Sequence, residues 1–243
     1  MKVSKDIQGS YSKQYDSLTD EWRQIAAKYK AKNIVELSGE ISFTNVLEVG
    51  AGEGSILYWL SKWNFSPNLY GIEISESGIE QIKKKHIENL KEVLLFDGYK
   101  IPYPDNYFDL VICSHVMEHV EFERPLLREI KRVSKYQIFE VPIDFSFQVD
   151  RNIKHFMSYG HINIYTPALF RFLLLSENFR VIKEKYHLYA NEVLKYIYRD
   201  RNAGYFKIKI KHLILRSFPY LLRIKPNSYV VLTEKDENEI SIF

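Results

Sequence analysis

Three glycines at alternate positions, Gly50, Gly52 and Gly54, follow an apolar run that contains the acid Glu48. A chain that turns sharply from a strand into a helix needs glycine where φ is positive and where a ligand lies against the backbone. Such a turn leaves backbone N–H groups and the positive end of the helix open to a ligand. The spacing therefore indicates a site for a nucleotide-type cofactor, with an ordinary structural turn as the alternative.

A second acid, Glu73, ends another strand-like run at residues 69–74. It follows the last glycine at about the spacing that places an acid on ribose hydroxyls in a doubly wound sheet. The glycines and this acid together fit either NAD or S-adenosylmethionine.

Other motifs separate these two cofactors. The glycines read Gly-x-Gly-x-Gly, a third strand-like run ends in Asp97-Gly98, and a fourth is followed by His115-Val116-Met117-Glu118-His119. Over residues 44–142, and to a lesser extent over 159–182, the chain resembles the class I S-adenosylmethionine-dependent methyltransferases. It departs from their pattern at Asn178, where glycine is usual, but Asn also accepts a left-handed helix cap.

This resemblance implies a role for each residue of the cofactor site. The acid and the three glycines would surround the methionine portion, and Glu73 would accept hydrogen bonds from the ribose. The adenine would contact the third strand end, and the sulfonium would lie beside the fourth. The residues implied are Glu48, Gly50, Gly52 and Gly54 for methionine, Glu73 for ribose, Ile74, Asp97 and Gly98 for adenine, and Ser114 and His115 for the sulfonium.

The sulfonium of the donor already makes its methyl group electrophilic, so the protein must align the acceptor and, for a hydroxyl, remove a proton. Histidine is the usual base near neutral pH. We favour His119, which follows the fourth strand, with Glu118 as the residue that orients a neighbour. His155 and His161, in the long loop after the fifth strand, are the alternatives.

His115-x-x-Glu118-His119 also matches a zinc-hydrolase pattern, but that mechanism needs both histidines on one helical face. Here His115 directly follows a strand-like run, so we assign no residue to zinc. A divalent Mg²⁺ or Mn²⁺ ion shared with a substrate oxygen is an alternative that the sequence does not favour.

The remaining pattern alternates strands and helices, which predicts an α/β fold. We predict a doubly wound, Rossmann-like sheet of seven strands, mostly parallel, and the resemblance implies that the last strand is antiparallel and lies beside the fifth. The predicted strands are 44–50, 68–74, 93–97, 107–113, 136–141, 180–187 and 229–234, and the helices are 54–63, 76–90, 123–134 and 167–177.

The predicted domain organisation has three parts. Residues 1–43 form an N-terminal helical cap over the cofactor, and residues 44–190 with 229–243 form the S-adenosylmethionine-binding core. Residues 191–228 form a basic helical insertion. Loops as long as 142–165 and 191–228 are usually functional, so we assign both to the substrate pocket.

The charge is uneven along the 243 residues. Residues 195–225 carry nine Lys or Arg and one acid, Asp200, so this segment is about +8 while the whole chain is +3. Apolar residues alternate with these charges, which is typical of an amphipathic helix with a solvated face. An anionic partner is the alternative: a phosphorylated substrate, a membrane surface or nucleic acid. One cysteine and no apolar leader or spanning run predict a cytoplasmic protein.

We therefore predict a methyltransferase that acts on a small anionic acceptor, such as a phosphorylated or nucleotide-activated sugar for surface polysaccharide. An RNA methyltransferase is the second interpretation, although Ser114-His115-Val116 is unlike the Asn-Pro-Pro-Tyr motif of base-modifying enzymes, and nucleic acid is not favoured. A non-catalytic S-adenosylmethionine-binding partner protein is the third. The sequence sets no oligomeric state, and peripheral membrane contact stays open.

Overall fold

The computed structural model describes residues 20–146, 149–199 and 201–236. These residues form one sheet of seven strands in the order β3-β2-β1-β4-β5-β7-β6. The strands are β1 Asn45–Val49, β2 Asn68–Glu73, β3 Leu90–Leu95, β4 Phe108–Ser114, β5 Ser134–Pro142, β6 Phe179–His187 and β7 Ser228–Lys235.

The pairing of the strands confirms the predicted topology. Strands β1 to β5 pair in parallel, and β7 runs antiparallel between β5 and β6. The strand order reverses between β1 and β4, so their carboxyl ends diverge there into a crevice. In open α/β sheets that crevice binds the ligand.

Helices cover both faces of the sheet, and their bounds are α1 Asp20–Ser38, α2 Ser55–Lys62, α3 Glu76–Lys84, α4 Glu123–Val133, α5 Ile153–Ser158, α6 Pro167–Ser176, α7 Asn191–Ile197, α8 Asn202–Ser217 and α9 Pro219–Leu222. Helices α1, α2 and α3 bury apolar residues against one face, and α4 and α6 do so against the other. Strand β4 is buried on both sides, which explains its continuous apolar run Leu110–Cys113.

The predicted helix 76–90 was too long and the strand 93–97 began too late. The helix ends at Lys84, because His86 adopts a left-handed φ of 49° that no helix interior accepts. Strand β3 then starts at Leu90, opposite Leu69 of β2. Asn178 has a φ of 58°, the left-handed conformation expected where related proteins carry glycine.

Helix α1 is the part of the predicted N-terminal cap that the structure describes, since residues 1–19 lie outside the described residues. Its Trp22 stacks on Tyr196 of α7, with ring centroids 5.9 Å apart. The segment 191–228 contributes α7, α8 and α9 between β6 and β7, while residues 237–243 lie outside the described part. Among the helices described, none has both the length and the apolar character that crossing a bilayer requires.

Candidate active site

The turn after β1 uses a left-handed backbone at all three of its glycines. Their φ values are 68° at Gly50, 57° at Gly52 and 78° at Gly54. A Cβ atom on Gly50 would lie 2.5 Å from a methyl group of Val116, and one on Gly54 would lie 2.9 Å from Ile82. Packing therefore excludes side chains at the outer two glycines, while the φ value is the constraint at Gly52.

The carboxylate of Glu73 is hydrogen-bonded to this turn. It accepts hydrogen bonds from the backbone N–H of Gly52 at 2.8 Å and from that of Ser75 at 3.1 Å. Burial raises the pKa of the Glu73 carboxyl, although these backbone donors act in the opposite direction. The acid at the end of β2 thus fixes the conformation of the glycine turn at the end of β1.

The residues predicted to contact adenine lie at the adjacent strand end. Phe96 N–H donates to the carbonyl of Glu73 at 3.0 Å, which holds the end of β3 beside that of β2. Asp97 accepts hydrogen bonds from the backbone N–H groups of Tyr99 and Lys100. The Asp97 carboxylate therefore stabilises the loop of residues 97–100 in which it lies.

Two further residues complete that predicted adenine edge. Gly98 adopts a φ of 92°, which favours glycine, and Ile74 is half-buried against the core. The sheet thus brings Ile74, Asp97 and Gly98 to the same edge as Glu73.

A cleft of about 240 Å³ lies between helix α1 and the glycine turn. Six of the predicted residues line it: Glu48, Gly50, Gly52, Ser114, His115 and His119. The other predicted cofactor residues, Gly54, Glu73, Ile74, Asp97 and Gly98, do not line this cleft. The cleft therefore corresponds to the side of the site predicted for methionine and the sulfonium.

Sequence reasoning did not assign the side chains that α1 adds to this cleft. Trp22, Arg23 and Lys30 line it opposite the glycine turn. The prediction of a helical cap at residues 1–43 was the signal available for them, and it did not say which face of the helix is turned inward. Two of the three are basic, so the cleft has cationic groups on one wall and the carboxylate of Glu48 on the other.

Glu48 lies at the base of the cleft and is 2% exposed. Its Oε2 atom has no hydrogen-bond partner among the described residues. Burial raises the pKa of the Glu48 carboxyl well above its usual range, with Lys30 opposing that rise and Glu53 and Glu73 adding to it. A buried carboxyl oxygen without a partner is costly, so this position suits a ligand that brings a hydrogen-bond donor or a positive charge.

A cluster of titratable groups follows β4. Ligand atoms of Glu118, His119 and His161 all lie within 4.8 Å of one another, and the two imidazole rings meet edge to face with centroids 4.9 Å apart. The Nδ1 atom of His119 is 2.9 Å from the carbonyl of Gly160, and that of His161 is 2.7 Å from Asp144. Because each Nδ1 atom faces an acceptor, it carries the proton, and each neutral ring has its lone pair on Nε2.

The loop before α6 is tied to the segment 117–120, and this brings His161 beside His119. The backbone N–H groups of Ile162 and Asn163 donate to the carbonyl of Glu118, at 2.9 Å and 3.0 Å. The Asn163 side chain also donates to the carbonyls of Met117 and Val120. Sequence reasoning could not predict this contact, which joins residues more than 40 positions apart, or that of Asp144 with His161, which are 17 positions apart.

The other predicted histidines have different surroundings. His155 is exposed on the short helix α5, and the structure does not bring it to the cluster. The Nδ1 atom of His115 lies 3.3 Å from Glu118, and its Nε2 atom lies 4.0 Å from the buried carboxylate of Glu140. His115 therefore lies between two buried acids at the edge of the cleft.

The protonation states within the cluster follow from burial and charge. Burial opposes ionisation of Glu118, but His115 and His119 outweigh it and lower the pKa of that carboxyl. Burial lowers the pKa of His119, against the pull of Glu118. For His161 burial acts in the same direction, but the bond to Asp144 and the nearby charge of Glu118 raise its pKa. The cluster thus combines an ionised carboxylate with a neutral His119.

Comparisons with known proteins agree with this geometry. Residues 47–137 match the family model of a methyltransferase domain. YrhH of Bacillus subtilis (strain 168) is 26% identical over 141 residues, which cover 55% of this chain and 76% of that protein. These matches support the resemblance of the chain to the class I S-adenosylmethionine-dependent methyltransferases.

Two other similarities indicate how far the likeness extends. The ubiquinone/menaquinone biosynthesis C-methyltransferase UbiE of Burkholderia cenocepacia (strain HI2424) is 30% identical over 112 residues, which cover 44% of this chain and 45% of that enzyme. The crystal structure of a SAM-dependent methyltransferase from Aquifex aeolicus superposes with a TM-score of 0.58, at 17% identity, over 91% of this chain and 97% of that one. The shared fold thus spans nearly the whole chain, while the match to the family model covers the part that contains the glycine turn.

Proposed function

We propose that this methyltransferase binds S-adenosylmethionine in the cleft beneath α1 and transfers its methyl group to an acceptor seated against Glu118, His119 and His161. One observation carries the proposal: Glu48, the glycine turn and His119 all line the same cleft. When bound, the donor supplies an electrophilic methyl group on a sulfonium.

The residues of the cleft suit the donor's charges. Glu48 would hold the ammonium of the methionine portion, and Arg23 or Lys30 its carboxylate, while Glu73 would receive the ribose hydroxyls. The unpartnered, buried Oε2 atom of Glu48 supports the first assignment. A cation beside that carboxylate would offset the cost of burying it.

We assign removal of the acceptor proton to His119. With its Nδ1–H directed at the Gly160 carbonyl, the Nε2 atom carries the lone pair. Because burial lowers its pKa, the ring is neutral and able to accept a proton at neutral pH. Glu118, with its Oε1 atom 3.9 Å from Nε2, would stabilise the imidazolium that forms.

The same geometry favours a second route to the acceptor's proton. Histidines that bind metals usually donate their other ring N–H to a carbonyl or carboxylate, which is the relation of His119 to Gly160 and of His161 to Asp144. Together with the Glu118 carboxylate, the two Nε2 atoms form a donor set that suits a divalent cation such as Mn²⁺ or Zn²⁺. Such an ion would acidify the acceptor hydroxyl directly.

One pair of experiments decides between these routes. If His119 is the base, His119→Asn lowers turnover by about two to four orders of magnitude, and donor affinity changes little. Wild-type activity falls as the pH drops through the lowered pKa of His119, and that acidic limb is absent from the variant. His86→Asn, at an exposed histidine far from the cleft in sequence, is the matched control. Loss of turnover on chelation, with recovery on adding a divalent cation, would assign the cluster to a metal instead.

The acceptor we propose is small and anionic, such as a phosphorylated or nucleotide-activated sugar of surface polysaccharide. The positive charge of residues 195–225 supports it. A panel of nucleotide sugars, sugar phosphates, neutral sugars and tRNA, assayed with labelled donor, tests the class. Methylation of the anionic sugars with a Michaelis constant that rises with salt supports the proposal. Methylation of tRNA alone favours an RNA methyltransferase, and donor binding without any transfer favours a non-catalytic partner protein.

A further inference from the structure

Helix α8 and the residues after it expose an unusual amount of apolar surface. Within residues 202–225, which we call the docking segment, seven large apolar side chains are exposed: Phe206, Ile210, Leu213, Ile214, Phe218, Tyr220 and Ile224. Phe206 is 70% exposed and Leu213 is 66% exposed. Exposed apolar residues scattered singly are ordinary, whereas a contiguous set indicates an interaction surface.

The exposed residues of α8 form one stripe along the helix. Phe206, Ile210, Leu213 and Ile214 recur at the spacing i, i+4, i+7 and i+8, which places them on the same face. The opposite face is packed on the protein, because His212 and Leu215 are buried. Helix α8 therefore has two apolar faces, one buried and the other exposed beside a groove against α7.

Basic residues flank the exposed stripe on both sides. By helical spacing, Lys207 and Lys211 lie along one edge of the stripe, and Lys209 and Arg216 lie along the other. The sequence contains no Asp or Glu from residue 201 to residue 233. An apolar stripe bordered by cations and free of acids is complementary to a surface that is negative outside and apolar beneath.

We propose that the docking segment binds the surface of a lipid bilayer that contains anionic lipids, with α8 lying in the plane of the interface. At 16 residues the helix is about 24 Å long, and its polar flanks suit an interfacial position rather than a spanning one. The apolar stripe would enter the headgroup region while the lysines contact lipid phosphates. This inference does not depend on the methyl-transfer reaction.

The docking segment is joined to the proposed acceptor side of the active site. Lys225 at its end donates hydrogen bonds to the carbonyls of Ile143 and Phe145, at 2.9 Å and 2.5 Å. Between these two residues lies Asp144, the partner of His161. Binding to a bilayer would therefore hold the acceptor-side loop close to the membrane surface, where an acceptor anchored in lipid would be presented.

Flotation of the full chain with vesicles tests the proposal. We expect binding to phosphatidylcholine vesicles that contain phosphatidylglycerol, weaker binding to phosphatidylcholine alone, and release from the anionic vesicles by salt. The double variant Phe206→Ser, Leu213→Ser should lose about tenfold or more in vesicle affinity. The matched control is Leu169→Ser, Phe172→Ser, which removes two apolar side chains of similar exposure from α6.

Several results would overturn this assignment. One is the absence of flotation by wild-type protein that binds S-adenosylmethionine normally, and another is equal binding to neutral and anionic vesicles at every salt concentration. A third is an equal loss of affinity in the α6 control. A different outcome would assign the stripe to a second copy of the chain. In that case the wild-type protein does not float with vesicles, light scattering shows that it is a dimer, and the α8 substitutions make it monomeric.

Discussion

The structure adds chemical detail to what the sequence predicted for Glu48. The resemblance implied only that it lies near the methionine portion of the donor. The structure adds that its carboxyl is buried, lacks a partner at Oε2 and has a raised pKa. In the free protein it therefore stays protonated to a higher pH than an ordinary glutamate. An ammonium group beside it favours the ionised form.

This reasoning predicts a link between donor binding and pH. Binding should release a proton at pH values below the raised pKa of Glu48, so donor affinity rises with pH through that range and levels off above it. Glu48→Gln should weaken donor binding by about 1.5–3 kcal/mol and abolish proton release, without loss of stability. Calorimetry in buffers of different ionisation enthalpy measures this, with the exposed Glu80→Gln as control. Unchanged proton release in Glu48→Gln would refute the assignment.

The cluster of Glu118, His119 and His161 shows what residue patterns could and could not predict. The sequence singled out Glu118 and His119 as neighbours, and His161 as a candidate in a loop. It had no means of joining them, because their contact depends on the hydrogen bonds of Asn163 and Ile162 to the segment 117–120. Asp144 and Lys30 were not singled out, since a lone acid or lysine in a polar stretch carries no spacing signal.

At the scale of elements, the glycine turn connects one strand to one helix and packs against two other parts of the fold. Its three left-handed residues join β1 to α2, and two of them fit closely against Val116 and α3. Alternation of apolar runs and turns was enough to predict the strands along the chain, while the antiparallel last strand beside the fifth came from the resemblance. The end of α3 was not predicted, because the sequence does not show that His86 adopts a left-handed conformation in the folded protein.

Substitutions at two glycines separate steric clash from backbone strain. Gly50→Ala combines a positive φ with a contact of 2.5 Å to Val116, so we expect a loss of about 2–4 kcal/mol in unfolding free energy. Gly39→Ala has a similar φ of 59° but meets only the flexible end of Lys183, so about 1–2 kcal/mol is expected. Denaturant unfolding measures these losses of unfolding free energy in both variants. The double variant Gly50→Ala, Val116→Ala is measured as well, because it removes the contact with Val116. Equal losses in Gly50→Ala and Gly39→Ala would show that the turn has room for a side chain.

The molecule as a whole places its predicted functions along one edge of the sheet. The carboxyl ends of β1, β2 and β4 carry the residues proposed for the donor site, and helix α1 lies over the cleft at the ends of β1 and β4. Beyond the cluster at His119, the loop around Asp144 connects to the docking segment through Lys225. The sequence predicted the sheet and the basic insertion, but not that α8 turns an apolar stripe outward, because periodicity shows the faces of a helix without saying which face is buried.

The central claim is that the glycine turn and the cleft beneath α1 bind S-adenosylmethionine, and titration calorimetry tests it most directly. The account predicts that the folded wild-type chain binds one donor molecule. It also predicts that Gly52→Val loses this binding, because a β-branched residue is strongly disfavoured at a φ of 57° and would disturb the N–H that Glu73 holds. Gly39→Val, at a left-handed glycine outside the cleft, should still bind the donor. A folded wild-type chain that binds no S-adenosylmethionine, or a Gly52→Val variant that binds it undiminished, would contradict the account.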